Sequence, residues 1–340
     1  MKTILITGGA GFIGSNFIHY FLNKYSDYKI VNLDALTYAA NLDNLKKVEH
    51  EPRYIFAEGS ICDEDLLESI FKEHDVRGVI NFAAESHVDN SISNPSVFVK
   101  TNILGTNTLL KVAYAHWMNG PGQFKSVYEN SRFHHISTDE VYGSLGSTGM
   151  FTESTPYAPN SPYAASKASA DMLIRSYNKT YQLNTVITNC SNNYGRYQHD
   201  EKLIPKTIKS ALDGEQISIY GDGTAIRDWL SVGDHCAGID VVFHSGVSGE
   251  AYNIGGFCEK SVNEIVNMLC NILDEVSPSK NGRSYKKQIK YTADRAGHDM
   301  RYAIDATKIN NRLEWNATKD FETGLRETVL WYINKFKNTA

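Results

Sequence analysis

Residues 3–14 read TILITGGAGFIG, and the fold prediction starts from this stretch. A short apolar run is followed at once by Gly8, Gly11 and Gly14, and the next segment has helical periodicity. Glycines at this spacing permit a tight turn, a close approach of the backbone to a bound group, and close packing of helix on strand. The helix N-terminus adds unpaired N–H donors and the positive end of the helix dipole. The stretch therefore predicts the first strand, turn and helix of a dinucleotide-binding α/β unit.

An acidic residue closes the second predicted strand. Asp34 ends the run KIVNLD, residues 29–34, and lies twenty residues beyond Gly14. A carboxylate at this point can accept hydrogen bonds from both hydroxyls of an adenosine ribose, and it would repel a 2′-phosphate. A turn residue without a ligand is the simpler alternative for Asp34. Strand, glycines and spacing together favour a site for NAD over one for NADP.

Strand-like and helix-like segments alternate through the first half of the chain. The predicted strands are TILIT (3–7), KIVNL (29–33), RYIFA (53–57), GVINFA (78–83), FHHIS (133–137) and NTVITN (184–189), and predicted helices are 15–24, 64–73 and 94–117. This alternation predicts βαβ units and a parallel sheet covered on both faces. We expect an α/β protein with a doubly wound (Rossmann) parallel sheet and a smaller mixed α/β substrate domain. The expected division is 1–190 with 225–250 for the NAD-binding domain, and 191–224 with 251–335 for the substrate domain.

Composition and charge limit the classes of function. The chain has 340 residues, of which 41% are hydrophobic and 21% charged, and its net charge is −5. Because there is no basic excess, neither a nucleic acid nor a membrane is an expected partner, and no apolar run has the length of a membrane span. The five cysteines form no C-x-x-C pair, and the histidines show no zinc-ligand spacing. We expect reduced thiols, no metal site and a cytoplasmic protein without a secretory signal.

A tyrosine and a lysine four residues apart are the first candidates for chemistry. Tyr163 and Lys167 lie in SPYAASK, where they would share one face of a helix. An ammonium group near a phenol favours the phenolate, which makes tyrosine a usable base. Thr138, at the end of the fifth strand, is placed to hydrogen-bond the same substrate hydroxyl. A Y-x-x-x-K pattern also occurs by chance on surface helices, and the neighbouring Asp139 and Glu140 would by themselves fit a solvated loop.

The order and spacing of these features resemble the extended short-chain dehydrogenase/reductases. Within that group, the chain is similar to the dTDP-glucose 4,6-dehydratases over residues 2 to about 305. The segments that carry this resemblance are ITGGAGFIGSNF, LDALTYAANLDNL, NFAAESHVDNSI, STDEVYG, SPYAASKASAD, TNCSNNYGRYQHDEKLIP, IRDWLSVGDHC, YNIGG and DRAGHDMRYAID. The most specific is TDE at 138–140, because sugar epimerases of the same fold usually lack the acidic pair.

The resemblance implies a reaction and a role in it for each catalytic residue. Tyr163, assisted by Lys167 and Thr138, removes the proton of the sugar 4-hydroxyl while a hydride passes from C4 to NAD. Glu140 then removes the C5 proton, Asp139 protonates the departing 6-hydroxyl, and the hydride returns to C6 to give a 4-keto-6-deoxy sugar. This elimination requires at least one general acid and one general base. Because Asp139 has to carry a proton for this role, its pKa has to be raised by its neighbour or by burial.

The resemblance also assigns residues to the two ligands. The implied NAD-binding residues are Gly8, Gly11, Phe12, Ile13, Gly14, Asp34, Thr37, Ser60, Ile61, Ala83, Ala84, Tyr163, Lys167 and Asn193. The implied nucleotide-sugar-binding residues are Ser86, Thr138, Asn192, Lys202, Leu203, Ile219, Tyr220, Arg227, Arg295 and His298. A guanidinium fork can hold two phosphate oxygens together, which suits Arg227 and Arg295 to a diphosphate, although either would singly fit a surface charge.

Five positions depart from the family pattern, and all of them fall in segments expected to recognise the ligands. They are Ser60, Asn90, Arg196, Asp200 and Val262. We expect dTDP-glucose as the substrate, with a UDP-hexose as the alternative. A nucleotide-sugar 4-epimerase would have no use for the acidic pair, and a non-catalytic NAD-binding scaffold would have no need of the catalytic set. The segments 94–117 and 161–181 resemble the helices through which this family dimerises, so a homodimer is expected.

Overall fold

The computed structural model describes residues 1–294 and 299–339. Its strands are β1 (Lys2–Thr7), β2 (Tyr28–Asp34), β3 (Tyr54–Glu58), β4 (Val76–Asn81), β5 (Met118–Gly120), β6 (Gln123–Phe124), β7 (Arg132–Thr138), β8 (Thr185–Cys190), β9 (Asn192–Tyr194), β10 (Ile217–Tyr220), β11 (Ile226–Ser231), β12 (Ala251–Ile254), β13 (Glu259–Ser261) and β14 (Ile289–Thr292). Its α-helices are α1 (Phe12–Lys24), α2 (Glu64–His74), α3 (Val88–Ser93), α4 (Pro95–Phe98), α5 (Thr106–Trp117), α6 (Pro162–Tyr181), α7 (Leu203–Asp213), α8 (Val232–Ser245), α9 (Val262–Val276), α10 (Thr307–Leu313) and α11 (Phe321–Thr339).

Seven parallel strands form the central sheet in the order β12-β8-β7-β4-β1-β2-β3. β1 lies between β2 and β4, so the chain winds outward from it in both directions. From its second residue onward β1 is buried, as expected for a parallel sheet that is covered on both faces. The predicted doubly wound α/β fold is confirmed, and the six predicted strands form with their ends shifted by at most two residues.

Helices cover both faces of this sheet. On one face α1 packs against α8, and the core there includes Phe17 and Ile239. On the other face α2, α5 and α6 surround a second core that includes Leu67, Leu109 and Ile174. The predicted helix at 94–117 is built from α4, a π-helical segment at Val99–Gly105, and α5. No helix of the described ranges has both the length and the apolar character needed to cross a bilayer.

A smaller group of elements lies beside the sheet. β9, β11 and β13 form a three-stranded sheet, β10 pairs with β14, and α7, α9 and α11 pack around a third core that includes Leu269 and Leu325. The predicted boundary at residue 250 leaves β12 in this smaller part. The structure instead pairs β12 with β8 at the edge of the large sheet, because its backbone continues that hydrogen-bonding ladder. The rest of the predicted domain division stays a prediction.

Candidate active site

The carboxyl ends of six neighbouring strands open into one cleft. The segments that follow β1, β2, β3, β4, β7 and β8 line it together with the first turns of α6, and its cavity volume is about 380 Å³. In a doubly wound sheet, ligands bind at this edge where the strand order reverses. That reversal lies between β1 and β4, so the cleft stands at the position where the fold provides a binding site.

The glycine loop forms a backbone cradle at one end of the cleft. Gly8 has a φ of +71°, and a Cβ atom on it would lie 2.7 Å from the Ala83 nitrogen. A Cβ atom on Gly14 would lie 2.4 Å from the Gly8 carbonyl oxygen. No side chain caps the helix that begins at Phe12, so its first N–H groups are left for a bound anion. This cradle fits a pyrophosphate.

Asp34 ends β2 beside this loop and is buried. Its carboxylate accepts hydrogen bonds from the backbone N–H groups of Ala10, at 2.8 Å, and Leu36, at 2.9 Å. Burial raises the pKa of Asp34, and the two backbone donors act in the opposite direction. The carboxylate is therefore fixed at the wall of the cleft, which is the place that the predicted ribose contact requires.

The structure brings the whole predicted NAD-binding set together. The residues of that set that line the cleft are Gly8, Gly11, Phe12, Ile13, Gly14, Asp34, Thr37, Ser60, Ile61, Ala83, Ala84, Tyr163, Lys167 and Asn193. Ser60 is one of the five positions that depart from the family pattern. Its hydroxyl oxygen accepts a hydrogen bond from the Cys62 nitrogen at 3.1 Å, so this serine shapes the turn after β3. The cradle and the fixed carboxylate are the two features that fit NAD.

α6 carries the predicted tyrosine and lysine into the cleft. The Ser161 hydroxyl oxygen accepts a hydrogen bond from the Ala164 nitrogen at 3.1 Å, and Pro162 occupies the first helical turn. These residues start the helix immediately before Tyr163. Tyr163 and Lys167 are one turn apart, and both line the cleft as their spacing predicts.

Burial shifts the pKa values of both side chains. Lys167 Nζ donates to the Ile136 carbonyl oxygen at 2.7 Å, and burial lowers the pKa of Lys167 to about 8. Burial, followed by the charge of Glu140, raises the pKa of Tyr163 well above its ordinary value, while a hydrogen bond with Thr138 lowers it. The expected phenolate is therefore opposed by burial, an effect that the local sequence pattern does not contain.

The two adjacent carboxylates differ in their environments. β7 ends at Thr138, and the 3-10 turn Asp139–Tyr142 follows, so both carboxylates lie at the sheet edge and line the cleft. Asp139 is only 2% exposed, whereas Glu140 is partly exposed. Asp139 Oδ1 accepts a hydrogen bond from Thr138 Oγ1 at 3.3 Å, and Asp139 Oδ2 is buried without a hydrogen-bond partner among the described residues. The Asp139 carboxyl group is therefore shielded from water, whereas the Glu140 carboxyl group is partly accessible to it.

The surroundings of Asp139 favour its protonated form. Burial raises the pKa of Asp139 well above its ordinary value, and the charges of Glu140 and Asp228 raise it further. Arg227 lowers this pKa but does not outweigh burial. A neutral carboxyl group can donate a proton, and an unpartnered oxygen in the cleft is where such a proton is available. The arrangement therefore supplies an acid at Asp139, beside a carboxylate that can act as a base at Glu140.

Only part of the predicted nucleotide-sugar set lines this cleft. Ser86, Thr138, Asn192 and Lys202 do so, and Lys202 Nζ donates to the Ser86 carbonyl oxygen at 3.3 Å. Four others do not line it: Leu203, Ile219, Tyr220 and Arg227. Arg295 and His298 lie outside the described residues.

Separate physical reasons account for the positions of three of these residues. Ile219 is 1% exposed in the third core, and Tyr220, next to it at the end of β10, is exposed because the strand alternates. Arg227 is buried, donates to the Asp299 carbonyl oxygen at 2.8 Å, and lies over the ring of Tyr302 at 4.4 Å from its centroid. These side chains belong to the smaller part of the molecule, beyond the wall of the cleft.

At two of the five positions that depart from the family pattern, the side chain anchors a loop that lines the cleft. Arg196 Nε donates to Asn16 Oδ1 at 3.1 Å, and Asp200 accepts from Lys335 at 2.7 Å. Asn90 lies on α3 and Val262 begins α9. The substitutions at 196 and 200 therefore anchor the segment that contributes Gln198, His199 and Glu201 to the cleft lining.

The sequence pattern did not single out the groups that lie behind Lys167. His135 and Asp171 are fully buried there. Asp171 is one helical turn beyond Lys167, which is the signal that marks it. Within residues 1–294 and 299–339, no group of three or more histidine, cysteine or acidic side chains is placed to hold a metal ion.

The chain is similar to known proteins over almost its whole length. A family model described as GDP-mannose 4,6 dehydratase matches residues 5–328. A dTDP-glucose 4,6-dehydratase of Neisseria meningitidis serogroup B is 50% identical over 337 residues, which cover 98% of this chain and 94% of that protein.

Two solved structures are similar over almost the whole chain. The dTDP-glucose 4,6-dehydratase of Bacillus anthracis, in complex with NAD, is 49% identical with a TM-score of 0.86 and covers 99% of this chain and 98% of its own. The dTDP-glucose 4,6-dehydratase of Streptomyces venezuelae, with NAD and a dTDP ligand bound, is 42% identical with a TM-score of 0.90 and the same coverage.

Proposed function

This chain belongs to the dTDP-glucose 4,6-dehydratase family, and we propose that it converts dTDP-glucose to dTDP-4-keto-6-deoxyglucose with tightly held NAD. The observation that carries this function is the pair of unlike carboxyl groups, Asp139 and Glu140, in one cleft with Thr138, Tyr163 and Lys167. A dehydratase needs both an acid and a base at this point, whereas an epimerase needs neither.

The cleft provides separate contacts for the parts of NAD. The cradle of Gly8, Gly11 and Gly14 fits the pyrophosphate, and Asp34 fits the adenosine ribose. NAD, when bound, supplies a hydride acceptor and donor, so the sugar can be oxidised at C4 and reduced at C6 without an outside reductant. The carboxylate of Asp34 would repel a 2′-phosphate, which favours NAD over NADP.

The first task of the side chains is proton removal from the sugar 4-hydroxyl. Tyr163 is the base, and Thr138 shares a hydrogen bond with it. Lys167 is positioned one turn further along α6, where its cation favours the phenolate against the effect of burial. The resulting 4-ketone makes the hydrogen on C5 acidic.

The second task is the elimination of water across C5 and C6. Glu140 removes the C5 proton, because it is the more accessible carboxylate of the pair. Asp139 gives its proton to the 6-oxygen, so water leaves instead of hydroxide. Its buried, unpartnered oxygen and its raised pKa support this assignment. A proton then returns to C5 from the same side chains.

The nucleotide-sugar contacts are proposed in two groups. Ser86, Asn192 and Lys202 contact the sugar, since they line the cleft next to the catalytic residues. The second group, assigned from the family resemblance, binds the diphosphate and the base and consists of Leu203, Ile219, Tyr220, Arg227, Arg295 and His298.

Assembly and location are also proposed. Apolar side chains are exposed on the two long helical segments expected at a dimer interface: Val97, Val99, Leu104 and Met172. Their pairing in a homodimer would remove this surface from water. All five cysteines are free thiols, which supports a reducing, cytoplasmic location. Sedimentation of the purified protein tests the homodimer directly.

The decisive experiment offers the purified protein four sugars: dTDP-glucose, UDP-glucose, UDP-N-acetylglucosamine and GDP-mannose. Loss of one water by mass from dTDP-glucose alone is the expected result. Water loss from a UDP-sugar would move the assignment to a UDP-hexose dehydratase. A change only in C4 configuration, without water loss from any sugar, would refute the dehydratase function.

A further inference from the structure

A buried carboxylate lies directly behind the catalytic lysine. Asp171 is 0% exposed and lies one turn of α6 beyond Lys167. Its Oδ2 accepts hydrogen bonds from Ser137 Oγ at 2.8 Å and from the Tyr157 hydroxyl at 2.9 Å. A buried carboxylate is costly unless it is paired with charges or donors, so this group is held by a dedicated environment.

A chain of hydrogen bonds determines the tautomer of the histidine beside it. The Ala83 nitrogen donates to Thr7 Oγ1, so the Thr7 hydroxyl is free to donate to Asn81 Oδ1 at 2.6 Å. The Asn81 amide nitrogen then faces His135 Nδ1 at 3.1 Å and donates to it. The hydrogen of the neutral ring is therefore on Nε2, which lies 3.5 Å from Asp171 Oδ1.

This tautomer places a neutral ring between a cation and an anion. Lys167 Nζ lies 3.3 Å from His135 Nε2, but both atoms carry hydrogens, so this contact is not a hydrogen bond. The ammonium donates instead to the Ile136 carbonyl oxygen at 2.7 Å, which leaves its remaining N–H groups for the cleft. The ring edge keeps Asp171 from drawing the lysine away from the cleft.

We propose that Asp171, acting across His135, is a positioning residue that keeps Lys167 cationic and directed at Tyr163. This proposal rests on the proposed dehydratase function, since it concerns the lysine of that site. Asp171 touches neither ligand, and its effect reaches the reaction through the charge on Lys167 alone.

The surroundings of the lysine support this role. The titratable groups that face Lys167 are Asp171 on its own helix, His135 on β7, and Cys190 at the end of β8, and Tyr163 lies one helical turn before it. Burial lowers the pKa of Lys167 to about 8, and the Asp171 charge raises it.

The groups that face Asp171 set its own charge. Besides Lys167 and His135, they are Tyr157 and Arg175. Burial raises the pKa of Asp171 above its ordinary value, and Lys167, Tyr157 and Arg175 act against this rise. Without the Asp171 charge, burial would deprotonate Lys167 near neutral pH.

The test is the pH dependence of the first oxidation step in the variant Asp171→Asn. The rate should fall as pH rises through the pKa of Lys167, near pH 8 in the unchanged protein. In Asp171→Asn this fall should move to lower pH by about one unit, because an opposite charge at this range is worth about one to three pKa units. At pH 8 the variant should therefore be about tenfold slower relative to its own acid plateau.

One variant controls for a merely structural role. Asp240→Asn removes another carboxylate that is 1% exposed and accepts from Tyr20 and Lys24, but it lies on α8 away from the cleft. It should lower the melting temperature and leave the pH profile in place. If Asp171→Asn behaves like this control, with a uniform loss of rate and an unmoved profile, the proposal is wrong.

A second readout needs neither substrate nor NAD. Since the pKa of Lys167 is about 8 in the fold and about 10.5 unfolded, the unfolded chain binds more protons between these values, and this residue makes stability rise with pH there. The rise in melting temperature should begin at lower pH in Asp171→Asn. An unchanged onset would overturn the proposal, whereas a failure of every sugar to lose water would overturn only the dehydratase function.

A further variant covers the case in which Asp171→Asn does not fold. Asp171→Ser removes the charge and keeps a hydroxyl group that can exchange hydrogen bonds with Ser137 and Tyr157. It should move the pH profile in the same direction, and an unmoved profile in this variant also refutes the proposal.

Discussion

The substitution Asp139→Asn separates the oxidation of the sugar from the elimination of water. Asparagine has nearly the same shape as aspartic acid, and it can still accept the hydrogen bond from Thr138 Oγ1. It cannot give up a proton to the departing 6-oxygen. We therefore expect the variant to oxidise the sugar at C4 and then stop before water leaves.

The expected size of this loss follows from the role of the acid. A positioned general acid accelerates a reaction by about 10²- to 10⁴-fold, which corresponds to about 3 to 5 kcal/mol of transition-state stabilisation. Little of this should appear as a loss of stability, because burial raises the pKa of Asp139 and so favours its neutral form, and its Oδ2 has no partner to lose among the described residues.

The Asp139 side chain should instead make the protein less stable as pH rises. The pKa of Asp139 is raised in the fold, so its contribution to stability is complete below the unfolded pKa of about 4 and is lost as pH rises through the folded pKa. Asparagine does not titrate and removes this dependence. At neutral pH the variant should melt at the same temperature as the unchanged protein or at a higher one.

Three measurements check this prediction. Absorbance of reduced nicotinamide should accumulate in the variant after mixing with dTDP-glucose, mass spectrometry should find no loss of water, and the melting temperature should lose the part of its pH dependence that comes from Asp139. Dehydration at an undiminished rate would refute the role of Asp139 as the acid. Loss of the oxidation step as well, or a strongly lowered melting temperature, would refute the reasoning from its neutral, unpartnered state.

The remaining predictions concern the base, the first proton transfer and the glycine cradle. Glu140→Gln should also stop after oxidation, with water loss reduced about 10²- to 10⁴-fold by mass, and unimpaired dehydration would exclude Glu140 as the C5 base. Tyr163→Phe should abolish even the absorbance of reduced nicotinamide, and its persistence would show that another group takes the proton. Gly14→Ala should cost about 1 to 3 kcal/mol in unfolding experiments, because the new Cβ would lie 2.4 Å from the Gly8 carbonyl oxygen. Gly146→Ala is the matched control, since a Cβ there meets nothing within 4 Å, and equal melting temperatures of the two variants would contradict the steric argument.

Much of the site was predictable because its signals are local. The glycine spacing, the acidic end of β2 and the four-residue separation of Tyr163 and Lys167 each act within a single turn, strand or helix. Since the carboxyl ends of parallel strands share one edge, predicting the strands also predicts that these residues meet. The 14 residues of the NAD-binding set accordingly all line one cleft.

Other features depend on contacts between distant segments and carry no local signal. β12 joins the large sheet only through pairing with β8, about sixty residues earlier. The arginine and isoleucine assigned to the nucleotide sugar are Arg227 and Ile219, and neither lies at the cleft wall. Their positions are set by the packing of the smaller part of the molecule.

Local patterns along the chain were enough to predict the main strands and helices and the glycine cradle, because these follow from backbone geometry and from spacing, and the family resemblance named the candidate catalytic side chains. The protonation of those side chains, and the groups that hold them in place, depend on the folded arrangement. The pKa of Asp139 is raised and the pKa of Lys167 is lowered because many distant residues together exclude water from them. Asp171 lies behind the lysine across His135 because α6 packs against β7.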